Sequence, residues 1–305
     1  MAVYERTYEE FHGPLTPEWS RFLIIPRHAL RGVFRSKLFL AFFVACFVYP
    51  LIAAILVYLH HNTVAIATLK LNVAELLPID ASFFKTFVVV QGVFAFFLTV
   101  LVGPPLVSRD LTNNALPLYL SRPFSRTEYI LGKMSVVMLL MSAITWIPGL
   151  LLFVFQAVLE GGGWLLSNLW MAGSIFIGSL VWIVLLALLS QAISAWVKWR
   201  IAASAALIAL FFIPQVFAEF VNHLFYTSWG DLIGINRLIS VIWSSLFRSY
   251  NRRLGTTVQW ENGERVVAEV FGIPVWSAWL MIVLLCLLCV WLLSKKVRAY
   301  EAVRG

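Results

Sequence analysis

Six long runs of apolar residues, almost free of charge, dominate this sequence. They lie at about 38–59, 83–101, 131–159, 169–193, 201–220 and 274–293. An apolar stretch of about 18 residues or more is long enough to cross the hydrocarbon core of a bilayer as a helix. A backbone placed there must satisfy its own hydrogen bonds, which an α-helix does within itself. The chain therefore reads as an all-α polytopic membrane protein with six transmembrane helices. Of its 305 residues, 61% are apolar and 12% are charged, far from the balance of a soluble domain. Once the spans are counted, no room remains for a large soluble domain. The expected organisation is an N-terminal segment at 1–37, a transmembrane domain at 38–293 and a basic tail at 294–305.

The net charge is +8. In a soluble protein that would suggest nucleic acid, but no basic-aromatic nucleic-acid motif appears, and the basic residues flank spans. Of the 23 Lys and Arg residues, six precede the first span, four lie from Arg109 to Lys133, two are Lys198 and Arg200, and four follow the sixth span. Five of the remaining seven sit in one long loop, where the positive-inside rule is weakest. Both termini are therefore expected in the cytosol, with the chain in the cell membrane of a bacterium or archaeon. The first twenty residues lack the apolar core and small-residue cleavage site of a secretory signal. Residues 21–37 predict an amphipathic helix: Phe22, Ile25, Ala29, Leu30 and Val33 share one face, and Arg27, Arg31 and Arg35 lie opposite. Such a helix either lies in the cytosolic membrane interface or is a basic flank that orients the first span.

Polar groups inside the spans are few. Gln91 sits beside Gly92 near the middle of the second span, Gln156 and Gln191 lie in the third and fourth, and Glu219 ends the fifth. These four are the candidate pathway residues. Helix–helix hydrogen bonding is the plainer role for the glutamines, and contact with headgroups for Glu219. Pro148-Gly149 and Pro214 predict kinks. Gly161-Gly162-Gly163 predicts a tight outer turn, because it lacks the strand and the Gly-Lys-Ser/Thr of a phosphate loop. His60-His61 do not share a helical face, which argues against a metal site there. Cys46, Cys286 and Cys289 all fall inside spans, and the CxxC spacing of the last two sits in an all-apolar helix. Packing is their expected role. Between spans five and six, 232–250 suits a helix dipping into the outer interface. Residues 256–270 read as a hairpin turning at Asn262-Gly263, with Trp260 opposite Arg265 and Val258 opposite Val267.

The longest cytosolic interruption runs from Gly103 to Lys133. Gly103-Pro104-Pro105 should kink or end the second span. Ser108 is then a candidate N-cap with Asp110 in the first turn, and Leu111, Ala115 and Leu118 recur at helical spacing. Pro117 limits that short amphipathic helix. Ser125-Arg126-Thr127-Glu128 fits a capping box that starts the next span, where Lys133 can snorkel to the cytosol.

This stretch resembles the loop between the second and third spans of ABC-2 type transporter permeases. Ser108-Arg109-Asp110, the turn from Ser121 to Arg126, Glu128 and Gly132-Lys133 carry the resemblance. It implies a short cytosolic coupling helix that docks on a separate ATPase subunit. The ATPase-docking residues would be Arg109, Asp110, Leu111, Ala115, Leu118 and Tyr119. It also implies a second permease subunit, identical or not, and export as the usual direction.

The residues themselves show no HExxH, no GxSxG and no GxxxxGK[ST]; the lone Gly132-Lys133 is followed by Met134. The chain is thus not expected to be an enzyme or to hold a cofactor. ATP and Mg would sit in the partner ATPase. Its own contacts would be with membrane lipid and protein subunits, not nucleic acid. An ion-coupled secondary transporter or channel stays open as the alternative.

Overall fold

The computed structural model describes residues 24–62, 78–112, 126–197, 199–225, 227–261 and 264–296. A short helix α1 (Ile24–Val33) precedes the spans. The first span is a pair, α2 (Lys37–Ala45) and α3 (Val48–His61), and the second is α4 (Ala81–Thr112). The third is again a pair, α5 (Arg126–Ile144) and α6 (Trp146–Glu160); the fourth and fifth are α7 (Gly162–Trp196) and α8 (Arg200–Phe225). A 3-10 turn (Trp229–Leu232), α9 (Ile235–Leu246) and a hairpin of β1 (Arg253–Glu261) with β2 (Glu264–Phe271) lead to α10 (Val275–Lys296), the sixth. All six spans are long and apolar enough to cross a bilayer. This is an integral, multi-pass membrane protein.

Contacts between span ends fix the up-and-down order. Lys296 Nζ lies 5.1 Å from the Trp196 ring, and Lys133 reaches Asp110. Those residues mark what is called here the near end. At the far end His61 meets Glu160, and Lys85 Nζ donates to Ser249 Oγ at 3.0 Å. Spans two, three and four bury 56%, 56% and 61% of their most apolar stretch, against 22% for each of the other three. The core is therefore a three-span centre with peripheral spans around it. An apolar periphery carries no penalty where the solvent is lipid.

Prolines interrupt two of these spans and leave others continuous. Pro50 has no N–H for the carbonyl of Cys46, and the first span bends between α2 and α3. Gln91 Nε2 donates to that Cys46 carbonyl at 3.1 Å. Pro148 interrupts the third span at Thr145, three residues before it. Pro104 is different. Of the kink or end expected at Gly103-Pro104-Pro105, the end does not occur: α4 continues through both prolines to Thr112. Pro104 frees the carbonyl of Val100, and Ser204 Oγ from α8 donates to it at 3.0 Å. Gly103 lets α7 come close, since a Cβ there would lie 2.7 Å from Ser190 Cβ. Ser108 and Asp110 consequently sit in the last turns of a spanning helix and not at the start of a new one.

Two further expectations shift. Of the three consecutive glycines, only Gly161, with φ +98°, serves as the turn; α7 begins at Gly162, where the sequence pattern suggested 169. The helix expected to dip into the outer interface is seated more deeply. Ile235, Leu238, Ile239, Ile242 and Trp243 of α9 are buried at helical spacing. The Trp243 ring lies against Gly92 and Gly178. Those glycines lie about 16 Å and 24 Å along their helices from Ala81 and Gly162, at 1.5 Å per residue. Trp243 Nε1 donates to the Gly178 carbonyl at 3.0 Å, and Trp182 Nε1 donates to that of Gly92 at 2.8 Å. The hairpin pairs in the expected register, Trp260 opposite Arg265 and Val258 opposite Val267. Its Asn262-Gly263 turn lies outside the described residues.

Candidate functional site

At the near end the second and third spans are joined by an ion pair between a buried lysine and a half-buried aspartate. Lys133 Nζ lies 2.9 Å from Asp110 Oδ2, and Tyr129 Oη donates to the same oxygen at 2.8 Å. Tyr129 and Lys133 are four residues apart, so both project from one face of α5 toward the end of α4. Lys133 is 6% exposed and Tyr129 1%. Lys133 therefore does not snorkel to water, because Asp110 offers it a partner inside the protein. An ammonium and a carboxylate withdrawn from water are each costly alone, so removing either one strands the other. The apolar face of α1 covers this joint. Ile25 is buried, and a Cβ on Gly132 would lie 3.1 Å from Ile25 Cβ. Arg27, Arg31 and Arg35 face outward, as the amphipathic pattern predicts.

The joint brackets residues 113–125, so the segment between the two spans is tied at both of its ends. Of the residues expected to dock a partner, Asp110 is committed to Lys133. Arg109 and Leu111 belong to the last turn of α4. Ala115, Leu118 and Tyr119 lie outside the described residues.

The four candidate pathway residues do not converge. Gln91 is fully buried and ties the second span to the bend of the first. Gln156 Nε2 donates to Glu160 Oε1 at 3.4 Å, and Gln191 is buried within α7. Glu219 is exposed and accepts from Gln215 Nε2 at 3.0 Å, with Arg237 Nη2 4.0 Å away. It belongs to a far-end network that pins the 3-10 turn and α9 to α8. In that network Asn222 Nδ2 donates to Asp231 Oδ1 at 2.8 Å, the Gly230 N–H donates to Asn222 Oδ1 at 2.8 Å, and Arg237 Nε approaches Asp231 at 3.9 Å. Burial pushes the Asp231 carboxyl up, and Arg237 opposes that.

An apolar cavity of about 290 Å³ lies at mid-depth between α4, α8 and α9, walled by Val93, Phe96, Trp182, Phe212 and Ile239. None of the four pathway candidates lines it. Aromatic packing shapes its wall: Phe96 and Phe211 rings are 4.8 Å apart, and Trp182 lies edge-on to Phe211 at 5.6 Å. At the far end His61 Nε2 lies 3.2 Å from Glu160 Oε1 while Nδ1 lies 3.0 Å from the Val57 carbonyl. The ring thus ties the end of the first span to the end of the third. Among the described residues no three His, Cys, Asp or Glu side chains are grouped to hold a metal. Cys46, Cys286 and Cys289 are free thiols.

Sequence reasoning missed the Asp110–Lys133 pair, Tyr129 and the Asn222–Asp231–Arg237 network. One signal was available for the first: opposite charges near the two ends of one loop. No protein-family model matches this sequence, and a search of curated proteins finds no match.

Proposed function

We propose that this chain is the membrane-spanning permease subunit of an ATP-driven ABC transporter of the ABC-2 type, exporting its substrate with energy from a separate ATPase subunit. The observation that carries this reading is the joint of Asp110, Tyr129 and Lys133 on either side of residues 113–125. A soluble partner pressing on that segment would move the ends of spans two and three together. Those spans belong to the buried centre of the fold, so the displacement would reach the core. Docking rests on Arg109, Leu111, Ala115, Leu118 and Tyr119, with Asp110 holding the joint. The sequence has no phosphate-cradling loop of its own. A second permease subunit would cover part of the peripheral spans and, with them, the apolar cavity beside α8.

The test is copurification. The isolated chain shows no ATP hydrolysis, and turnover by the rigorously purified single chain overturns the proposal. With its ATPase partner, Leu111→Asp places an unpaired charge in a desolvated contact and weakens association by about thirtyfold or more. Expression and membrane insertion are unchanged, because the position lies at the end of the spanning helix. Retained ATPase binding with full transport would reduce the segment to a connector.

A further inference from the structure

Two clefts at the near end meet at one arginine. The first, about 340 Å³, opens under α1 between Val33, Phe39 and Leu106, with Asp110 and Lys133 at its polar end. The second, about 370 Å³, runs along the groove between α4 and α8 past Phe97, Val100 and Ile201. Leu101, Pro105 and Arg200 line both, so the two are continuous. Phe97 and Ile201 are 47% and 75% exposed, which leaves the groove open on its outer side, where lipid lies.

Charge decides what fits. Lys133 already neutralises Asp110. Arg200 is exposed and makes no hydrogen bond or ion pair among the described residues. It is also the first residue of α8. A cation there is disfavoured by the positive end of the helix dipole, whereas an anion is drawn by the dipole and the guanidinium together. Arg27, Arg31 and Arg35 add exposed positive charge on α1 and just beyond it. An anionic head beside Arg200 would sit at the rim of the bilayer, and the adjoining groove offers an apolar track toward its middle.

We propose that these joined clefts bind an anionic phospholipid of the near-end leaflet, with its phosphate on Arg200 and one acyl chain in the α4–α8 groove. The bound lipid wedges α1, α4 and α8 together beside the Pro104 site. Nothing in this depends on how transport is energised.

The experiment uses the full chain, purified in an uncharged detergent. Native mass spectrometry and thermal melting compare dioleoyl phosphatidylglycerol, dioleoyl phosphatidylcholine and inorganic phosphate. Phosphatidylglycerol binds about five- to tenfold more tightly than phosphatidylcholine, the factor one interfacial cation supplies, and raises the melting temperature. Inorganic phosphate alone does not. Arg200→Gln removes the preference between the two lipids, and Arg200→Lys keeps most of it. Ile201→Trp, at an exposed groove position, weakens binding of both lipids with Arg200 intact. Equal binding of the two lipids by the unaltered protein overturns the proposal without recourse to any variant. So does a preference that survives Arg200→Gln. Protection by inorganic phosphate equal to that by the lipid assigns the cleft to a soluble anion and overturns it as well.

Discussion

Lys133 shows how one residue changes meaning with its neighbours. Beside a glycine at the start of a span it reads as an anchor reaching for water, yet Asp110 and Tyr129 hold it inside. Asp110→Asn leaves the ammonium buried without a counter-charge and should cost about 3–5 kcal/mol. The double variant Asp110→Leu/Lys133→Met should recover most of that loss. Melting of the three proteins in detergent measures both effects, and a single variant as stable as the unaltered chain would show the pair to be ornamental. Asp231 makes the opposite case, since burial raises its carboxyl and Arg237 only partly offsets this. Its folded pKa lies above the unfolded one. The stability linked to it is thus complete below the ordinary carboxylate range and is lost as pH rises through the raised value. Asp231→Asn keeps an acceptor for Asn222 and removes the titration. Between pH 4 and 8 the unaltered protein should lose stability relative to the variant, and parallel curves would refute the linkage.

At the scale of elements, two prolines depend on donors from other helices. Ser204 supplies the carbonyl of Val100 that Pro104 abandons, and Gln91 supplies the carbonyl of Cys46 that Pro50 abandons. Ser204→Ala and Gln91→Leu should each cost about 1–3 kcal/mol, the penalty for a buried acceptor left unpaired. This explains what the sequence showed and what it hid. The spans are legible because apolar length is a local property, and the hairpin register is legible because alternation is local too. The continuity of α4 through Gly103-Pro104-Pro105 is not, because the compensating hydroxyl lies in another span. The depth of α9 is hidden for the same reason, since Trp243 is received by glycines of two distant spans. Gly92→Ala tests that seat. A Cβ there would lie 2.6 Å from Trp243 Cη2, so α9 must shift. The expected cost is about 1–3 kcal/mol, with a change in tryptophan fluorescence. An unaltered spectrum and melting curve would show that the helix is loosely held. Of the candidate site, only the charges around its loop were visible in sequence; the joint itself needs the two helix ends brought together.

At the scale of the whole molecule, orientation is the property on which the functional proposal stands, because an ATPase can act only from the cytosol. The near-end contacts Asp110–Lys133 and Lys296–Trp196, and the far-end contacts His61–Glu160 and Lys85–Ser249, place the six spans in strict alternation. The ends of the first and last spans, Lys37 and Lys296, therefore share a side. Basic residues gather at that end, and retention of positive charge makes it the proposed cytosolic side. Positions 113 and 262, which follow α4 and separate β1 from β2 in the sequence, are then expected on opposite sides of the membrane. Single cysteines at these two positions, in a background lacking Cys46, Cys286 and Cys289, should react with a membrane-impermeant maleimide from opposite faces. The cysteine at position 262 should label in intact cells and that at 113 only after the membrane is opened. Labelling of both from outside would break the six-span alternation. A reversed pattern would put the joint, and any partner that presses on it, on the wrong side of the membrane for ATP.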